Sequence, residues 1–376
     1  MTTASIPLDL TDSVNSAILA VSEDRLAGFQ VDPIGEIARR CDLPAGLVLE
    51  RLRALLEAGT IRRIRQTVQA TKLAAGALVA WNVPPERLDA AFDFMAKQDP
   101  FSGHVVMRTT DKEASGAAYR LWTTLKVPRG YSLEAHCRQL SRWTGAESWR
   151  AMPAKRLFTL GVGHLRRRGI EPGDRTPEPG AVVTTEVEQL SDRQWRVLEA
   201  LKREFTVDEL GFDMWSSRAG EAGLGFEDFV EEARGLEARG LMGRFSTFLE
   251  HVKPLTTGER VTRYNALFHW QVPQGREIEA GREVARHYIL THAYWREGGP
   301  EFGNVNIMAV AHGLDKDLVM QHKAAIDRHL ETLNIDAGYT NVFWGGRSEI
   351  KPSEVMPSAY RRWCEAMGLD HEAFRA

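Results

Sequence analysis

The chain repeats itself, so any fold it adopts must accommodate the same set of elements twice. The segment Ala77-Leu78-x-x-Trp81-x-Val83-Pro84 returns as Ala266-Leu267-x-x-Trp270-x-Val272-Pro273, displaced by 189 positions with five identities in eight. Upstream, Leu56-Glu57-Ala58-Gly59 and Arg63-Ile64 answer Leu236 to Gly240 and Arg244-Phe245, each time a helix end before a short apolar and basic strand. Downstream, His104-x-x-x-Arg108 aligns with His292-x-x-x-Arg296, and the strand beginning at Tyr119 with the one beginning at Val305. Two units of roughly 160 residues account for all of these matches, a period too long for a solenoid.

Within each unit a helical third precedes a mixed one. Asp32 and Pro33 suit a helix start, and Ile34, Ile37, Ala38 and Cys41 lie on one apolar face, which predicts a core thiol at Cys41. A second helix carries Leu47, Leu49, Leu52, Leu55 and Leu56 and is closed by Gly59, ahead of a wing-like strand at 61–68. The second unit repeats this with 195–201, 207–210 and 226–236, interrupted by an insertion-like stretch at 214–223. The remainder of each unit alternates strand and helix in the order βαββαβ. In the first unit it opens with a strand at 77–83 and a helix at 85–97, and ends with a strand at 156–162. The fold class expected is therefore α+β, a tandem duplication in which each unit is a winged helix-turn-helix plus a ferredoxin-like domain. The boundaries expected are 1–69 and 70–167 for the first unit, a Pro- and Gly-rich linker at 168–189, 190–258 and 259–351 for the second, and a tail at 352–376.

Composition narrows the function. Of 376 residues 43% are hydrophobic and 26% charged, enough to bury several cores, and Asp plus Glu outnumber Lys plus Arg by 51 to 48, so no global basic field draws the chain to nucleic acid. The three cysteines are too far apart for a zinc ribbon or a disulfide framework. The first residues lack the pattern of an export signal and no run of 18 apolar residues occurs, which predicts a soluble cytoplasmic protein without a membrane span. The winged helices raise the possibility of a regulator. Yet the turns that would enter the major groove read Leu43 to Glu50, with no donor side chain before Arg51, and Gly225 to Glu232, with four carboxylates that phosphate would repel. Specific DNA binding is not expected, and the winged helices read as packing and docking elements.

Chemistry gathers on the second unit's strands. His292, Tyr294 and Arg296 project from one face of a strand, and after a loop Asn306, Met308, Val310 and His312 share a face of its partner. A hairpin closed near Arg296 and Asn304 would set 292 opposite 308, leaving His292 and His312 about 13 Å apart, too far to share a metal ion and about the breadth of a large planar ligand. A single strand histidine is most often a structural residue. Two His, a Tyr, an Arg and an Asn on one face are costly to bury without a partner, and a polyanionic ligand would supply one. The first unit keeps His104 and Arg108 and has Val106, Arg120 and Lys126 where the second has Tyr294, Asn306 and His312, a more cationic surface suited to binding carboxylates. Gly161-x-Gly163 lacks the rest of a dinucleotide fingerprint, Arg166 to Arg168 read as a solvent face near the linker within reach of a ligand propionate, and Trp81 and Trp270 read as core or inter-unit packing.

Gly59-Thr60-Ile61-Arg62-Arg63-Ile64, the Ala77 to Pro84 strand, Thr291-His292-Ala293-Tyr294-Trp295-Arg296 and Asn304 to Gly313 together resemble the siroheme decarboxylases, over most of both units. Tyr119-Arg120-Leu121-Trp122 is similar to the partner subunit's strand of that family and departs from it at Arg120, where Asn is usual. The resemblance implies a fused pair of Lrp/AsnC-like subunits, an internal pseudo-dimer open to further self-association. It implies a carboxy-lyase that removes carboxyl groups from two acetates of siroheme in heme biosynthesis, with the iron tetrapyrrole as substrate and no further cofactor. It would give His292, His312 and Tyr294 the catalytic roles, and Arg296, Asn306, His104, Arg108, Arg120, Lys126, Arg63 and Arg244 the binding of substrate. Two alternatives stay open: a ligand-responsive regulator of the Lrp/AsnC type, and a tetrapyrrole-binding protein without turnover.

Overall fold

The computed structural model describes residues 6–23, 25–111, 113–160, 170–184, 186–249 and 264–376. Gly161, Gly163 and Arg166 to Arg168 lie outside them. In chain order the elements are α1 (Ser13–Ser22), β1 (Leu26–Ala27), α2 (Pro33–Cys41), α3 (Ala45–Glu57), β2 (Ile61–Val68), α4 (Ala70–Leu73), β3 (Ala74–Asn82), α5 (Leu88–Lys97), β4 (Ser102–Thr109), β5 (Leu121–Pro128), α6 (Leu133–Thr144) and β6 (Ser148–Phe158). They continue with β7 (Val182–Val183), α7 (Asp192–Lys202), α8 (Met214–Glu221), α9 (Phe226–Ala238), β8 (Met242–Leu249), β9 (Tyr264–Gln271), α10 (Glu277–Val284), β10 (Leu290–Arg296), β11 (Ile307–Gly313), α11 (Lys316–Thr332), β12 (Tyr339–Ile350) and α12 (Pro357–Ala366).

Compactness cuts across the repeat. One unit comprises the two helical segments, 1–72 with 188–259, and the other the two mixed segments, 73–187 with 260–376. In the helical unit Asp32 caps α2 through the backbone N–H of Gly35, Pro33 occupies its first turn, and Asp42 ends it in a left-handed conformation. A reciprocal capping box between Ser191 and Gln194 starts α7. The strands that follow α3 and α9 pair with each other: β8 lies between β1 and β2 in one three-stranded antiparallel sheet. Cys41 departs from the expected core position, being half-buried with its thiol on the Ala17 carbonyl while Ile34 and Ile37 fill the interior. Two elements of the second repeat also differ. Residues 207–210 hold a turn rather than a helix, and the stretch read as an insertion is α8, whose Met214, Trp215, Arg218 and Ala219 are buried at helical spacing.

In the other unit the two four-stranded arrays do not stand as separate sheets. The first repeat contributes β4-β5-β3-β6 and the second β10-β11-β9-β12, and the pairings β12 with β4 and β10 with β6 close all eight into a barrel, with β7 appended to β6. Closure removes every exposed edge that two separate sheets would leave. β6 begins earlier than expected, at Ser148 rather than Arg156, because 148–153 pair with β3 before 154–158 pass to β10. Pro153, which has no N–H to give, falls at that hand-over.

Strand alternation produces three cores. Outward residues such as Val79, Trp81, Val105 and Leu125 pack under α5, α6 and α12, with Tyr360, Trp363 and Cys364 bringing the C-terminal segment into the same core. Phe268, Trp270, Ile307 and Ala309 pack under α10 and α11. Inward residues Ala80, Val106, Trp122, Met152, Leu267, Met308 and Phe343 meet inside the barrel with Phe302 and Val305 from the β10–β11 loop. Trp81 and Trp270 are fully buried, as expected of core residues. No helix among the described residues is long and apolar enough to cross a membrane.

Candidate active site

Closing the sheet turns the polar strand faces into the lining of the barrel. On β4 His104 and Arg108 share the inward parity of Val106; on β5 Lys126 shares that of Trp122, on β10 Arg296 that of Tyr294, and on β11 His312 that of Met308. Cross-strand register arranges them as two matching rows. Lys126 faces Gly76 on β3, and Arg296 faces Ala154 on β6; in the second repeat His312 faces Asn265 on β9, which faces Gly345 on β12, which faces Arg108.

The β10–β11 register corrects the expected spacing of the histidines. His292 pairs with Val310 and Tyr294 with Met308, two residues from the expected pairing of 292 with 308. The cause lies in the loop. Arg296 N–H donates to Asn306 O, a 3-10 turn at Pro300–Phe302 drops Phe302 into the barrel core, and Gly303 and Asn304 with φ of 64° and 53° turn the chain back. His312 thus sits two residues from His292's partner on the same face, a diagonal separation of roughly 7 Å instead of 13 Å.

Each cation is held differently. Arg108, 4% exposed, donates from Nη1 to Asn265 Oδ1 at 3.1 Å and to the Phe343 carbonyl at 3.2 Å. Arg296, 9% exposed, donates from Nη1 to the Met152 carbonyl, and its guanidinium lies 4.5 Å from the centre of the Tyr294 ring. His292 and Tyr294 stack with their rings 8° from parallel, and the Thr291 hydroxyl lies 3.0 Å from His292 Nδ1. The Nε of both arginines and Nε2 of His104 are buried without a hydrogen-bond partner. Among the described residues no ion pair joins Arg108, Arg296 or Lys126 to a carboxylate. The electrostatics express the same shortage of negative charge. Burial, then the charges of Arg108, His312 and His292, pushes His104 down to about 4; burial and Arg296 push Lys126 down to about 8; burial alone pushes Arg108 down to about 10. Burial raises the Tyr294 phenol, with the guanidinium of Arg296 pulling the other way.

The remaining expected residues have structural partners of their own. Asn306 is spent on structure, accepting from Val272 N–H at 2.8 Å and donating to Val272 O at 3.0 Å and Glu277 Oε1 at 3.4 Å. Arg120 precedes β5, half-buried, with its carbonyl bonded to Arg108 N–H. Arg63 and Arg244 belong to the helical unit. Arg63 pairs with Glu204 at 3.2 Å and lies over the Phe248 ring, and Arg244 donates to the Glu23 carbonyl. Two inward residues are absent from the sequence expectations. Asn265 braces Arg108, and His269, 1% exposed among Trp122, Phe302 and Phe343, is driven down to about 3 by burial and by Arg108 and Lys323. Both obey the same alternation along β9 that marks Leu267 as inward. Among the described residues no group of three or more His, Cys, Asp and Glu could hold a metal ion.

Residues 73–159 match the AsnC-like ligand binding domain. A siroheme decarboxylase of Hydrogenobacter thermophilus is 24% identical over 299 residues, 79% of this chain and 83% of that protein. The siroheme decarboxylase NirDL, solved in complex with an iron-uroporphyrin III analogue, superposes with a TM-score of 0.64 at 18% identity, covering 94% of this chain and 97% of its own. A second NirDL structure gives 0.63 at 19%, covering 94% and 99%.

Proposed function

We propose, from the likeness of this chain to siroheme decarboxylases, that it removes carboxyl groups from acetate side chains of siroheme or a closely related iron tetrapyrrole. One observation carries the reading. The barrel lining holds two buried guanidiniums with orphaned Nε groups and a half-buried imidazole with an orphaned Nε2, and among the described residues no carboxylate pairs with Arg108, Arg296 or Lys126, so the lining presents positive charge that a polycarboxylate would balance.

The residue types fit the reaction. An acetate on a pyrrole carbon loses carbon dioxide, the electron pair of the broken bond passes into the ring system, and one proton ends on the new methyl group, so each turnover consumes one proton and releases one carbon dioxide. Arg108 and Arg296 grip carboxylates that do not react, and Lys126 adds charge beside Arg296. His312 and His292 supply the proton, the stacked Tyr294 holding His292 in orientation. His104, kept neutral near pH 7, serves better as a hydrogen-bonding partner than as the acid. The finer arrangement of two winged helices and two ferredoxin-like halves, made internally as a pseudo-dimer, belongs to this same reading. A DNA-binding regulator is not favoured, since the exposed face of α9 presents Glu227, Asp228 and Glu231.

The test is anaerobic incubation with siroheme, following the mass of the pigment. Successive losses of carbon dioxide are expected, slowed about 100- to 10,000-fold in His312→Ala or His292→Ala. Binding without loss of mass would leave a tetrapyrrole-binding protein, and no change in the visible spectrum would sink the reading.

A further inference from the structure

The two rows of the barrel are alike in position and unlike in support. In the first repeat the place beside Lys126 is Gly76, where a Cβ would meet the Lys126 side chain at 3.3–3.4 Å. In the second repeat the equivalent position, 189 residues on, is Asn265, between His312 on one neighbouring strand and Gly345 on the other. Arginine can only donate, so the contact with Arg108 fixes which end of the amide faces it: Oδ1 accepts from Nη1 at 3.1 Å. Position 345 is glycine where a Cβ would stand 3.2–3.3 Å from the Asn265 side chain, so β12 leaves room for that amide to reach across to Arg108. With the Phe343 carbonyl also bound to Nη1, one edge of the guanidinium is tied down, and its orphaned Nε remains for a ligand. Arg296 has no such amide. It rests on a backbone carbonyl and on the ring of Tyr294.

We propose that Asn265 is a positioning residue that fixes the plane of the Arg108 guanidinium, so that the two halves of the barrel grip the carboxylates of one ligand with different rigidity. This rests on the reading of the barrel as the site of an anionic tetrapyrrole. Bidentate recognition of a carboxylate requires the guanidinium to be coplanar with it, and a braced plane loses less freedom on binding. The substrate group held by Arg108 is not the one that reacts at the moment of chemistry, so loss of the brace weakens binding more than turnover.

The experiment titrates the full chain with siroheme by visible absorption and measures release of carbon dioxide at saturation, for the wild type and for Asn265→Ala, Asn265→Ser and Asn265→Asp. Asn265→Ala is expected to raise Kd about tenfold with kcat changed less than about threefold. Asn265→Ser, which keeps an acceptor, should recover part of the affinity. Asn265→Asp should bind more weakly than Asn265→Ala at neutral pH, because the new carboxylate pairs with Arg108 in the ligand's place, and should regain affinity as the pH falls and that carboxylate protonates. Wild-type affinity in Asn265→Ala overturns the proposal, as does a loss confined to kcat or an equal loss in all three variants. Failure of the wild type itself to bind removes the tetrapyrrole reading, and the proposal with it, and is distinguished by that control.

Discussion

At the scale of single residues the site is a problem of unmatched charge. Arg108 and Arg296 are buried, each with a tied Nη1 and an orphaned Nε, and burial lowers the pKa of both. Arg296→Lys keeps the charge but gives up the planar fork and its face on Tyr294, so siroheme affinity should fall roughly 10- to 100-fold, read by titration. An unchanged Kd would remove Arg296 from the binding role. The histidines that strand alternation picks out, His292 and His312, do share a face, but their closeness is not legible in the sequence. The two-residue slip in register comes from the anchoring of Phe302, a tertiary contact that no local pattern announces. His269 and Asn265 are open to the same alternation argument. Neither stands out in the sequence, because nothing in a single strand says that its polar face will meet an arginine from another repeat.

Elements show where packing overrules propensity. Gly281 lies within α10, where alanine is ordinarily the better helix former. Here a Cβ would run into the ring of Phe158 from β6, so the helix sits on the barrel at a distance only glycine permits. Gly281→Ala should therefore destabilise by about 1–3 kcal/mol, read as a lower denaturant midpoint with an unchanged m-value. Stabilisation would show that the ring moves aside freely. The helices themselves are readable from their apolar spacing and caps at α2, α3, α5, α7 and α9. α8 is not, because its eight residues are too few for periodicity to speak. What defines it is burial, with Trp215 set among Phe29, Phe205 and Phe245.

For the whole molecule the buried bases set the response to pH. His104 at about 4 and His287 and His269 at about 3 lie below the ordinary histidine value of 6.5, so the unfolded chain holds more protons than the folded one as the pH falls from 6.5 toward 3. Stability should decline across that window and rise as the pH returns through it. Lys126, at about 8 against 10.5, makes a further destabilising contribution that is full below pH 8 and is relieved between 8 and 10.5. Denaturation midpoints measured from pH 4 to 7 check the first. A polycarboxylate in the barrel should reverse the depression of Lys126, so binding takes up protons between about pH 8 and 10.5. Calorimetry in buffers of different ionisation enthalpy measures that uptake, and zero uptake would place the anion elsewhere.

Local information in the chain is enough to show the repeated motifs, most of the elements, which faces of them are apolar, and the residue types that cluster on the β10 and β11 faces. Helical and strand periods are local properties, and a repeat is visible as identity at a distance. Only the tertiary structure decided that β2 and β8 share one sheet, that eight strands close into one barrel, and therefore that those polar faces look inward at each other. The physical reason is that closure depends on pairing between strand edges, and a strand's edge is backbone, the same for every sequence. Which edge meets which is settled by how the outer cores pack beneath their helices, and that is a property of the whole unit rather than of any segment.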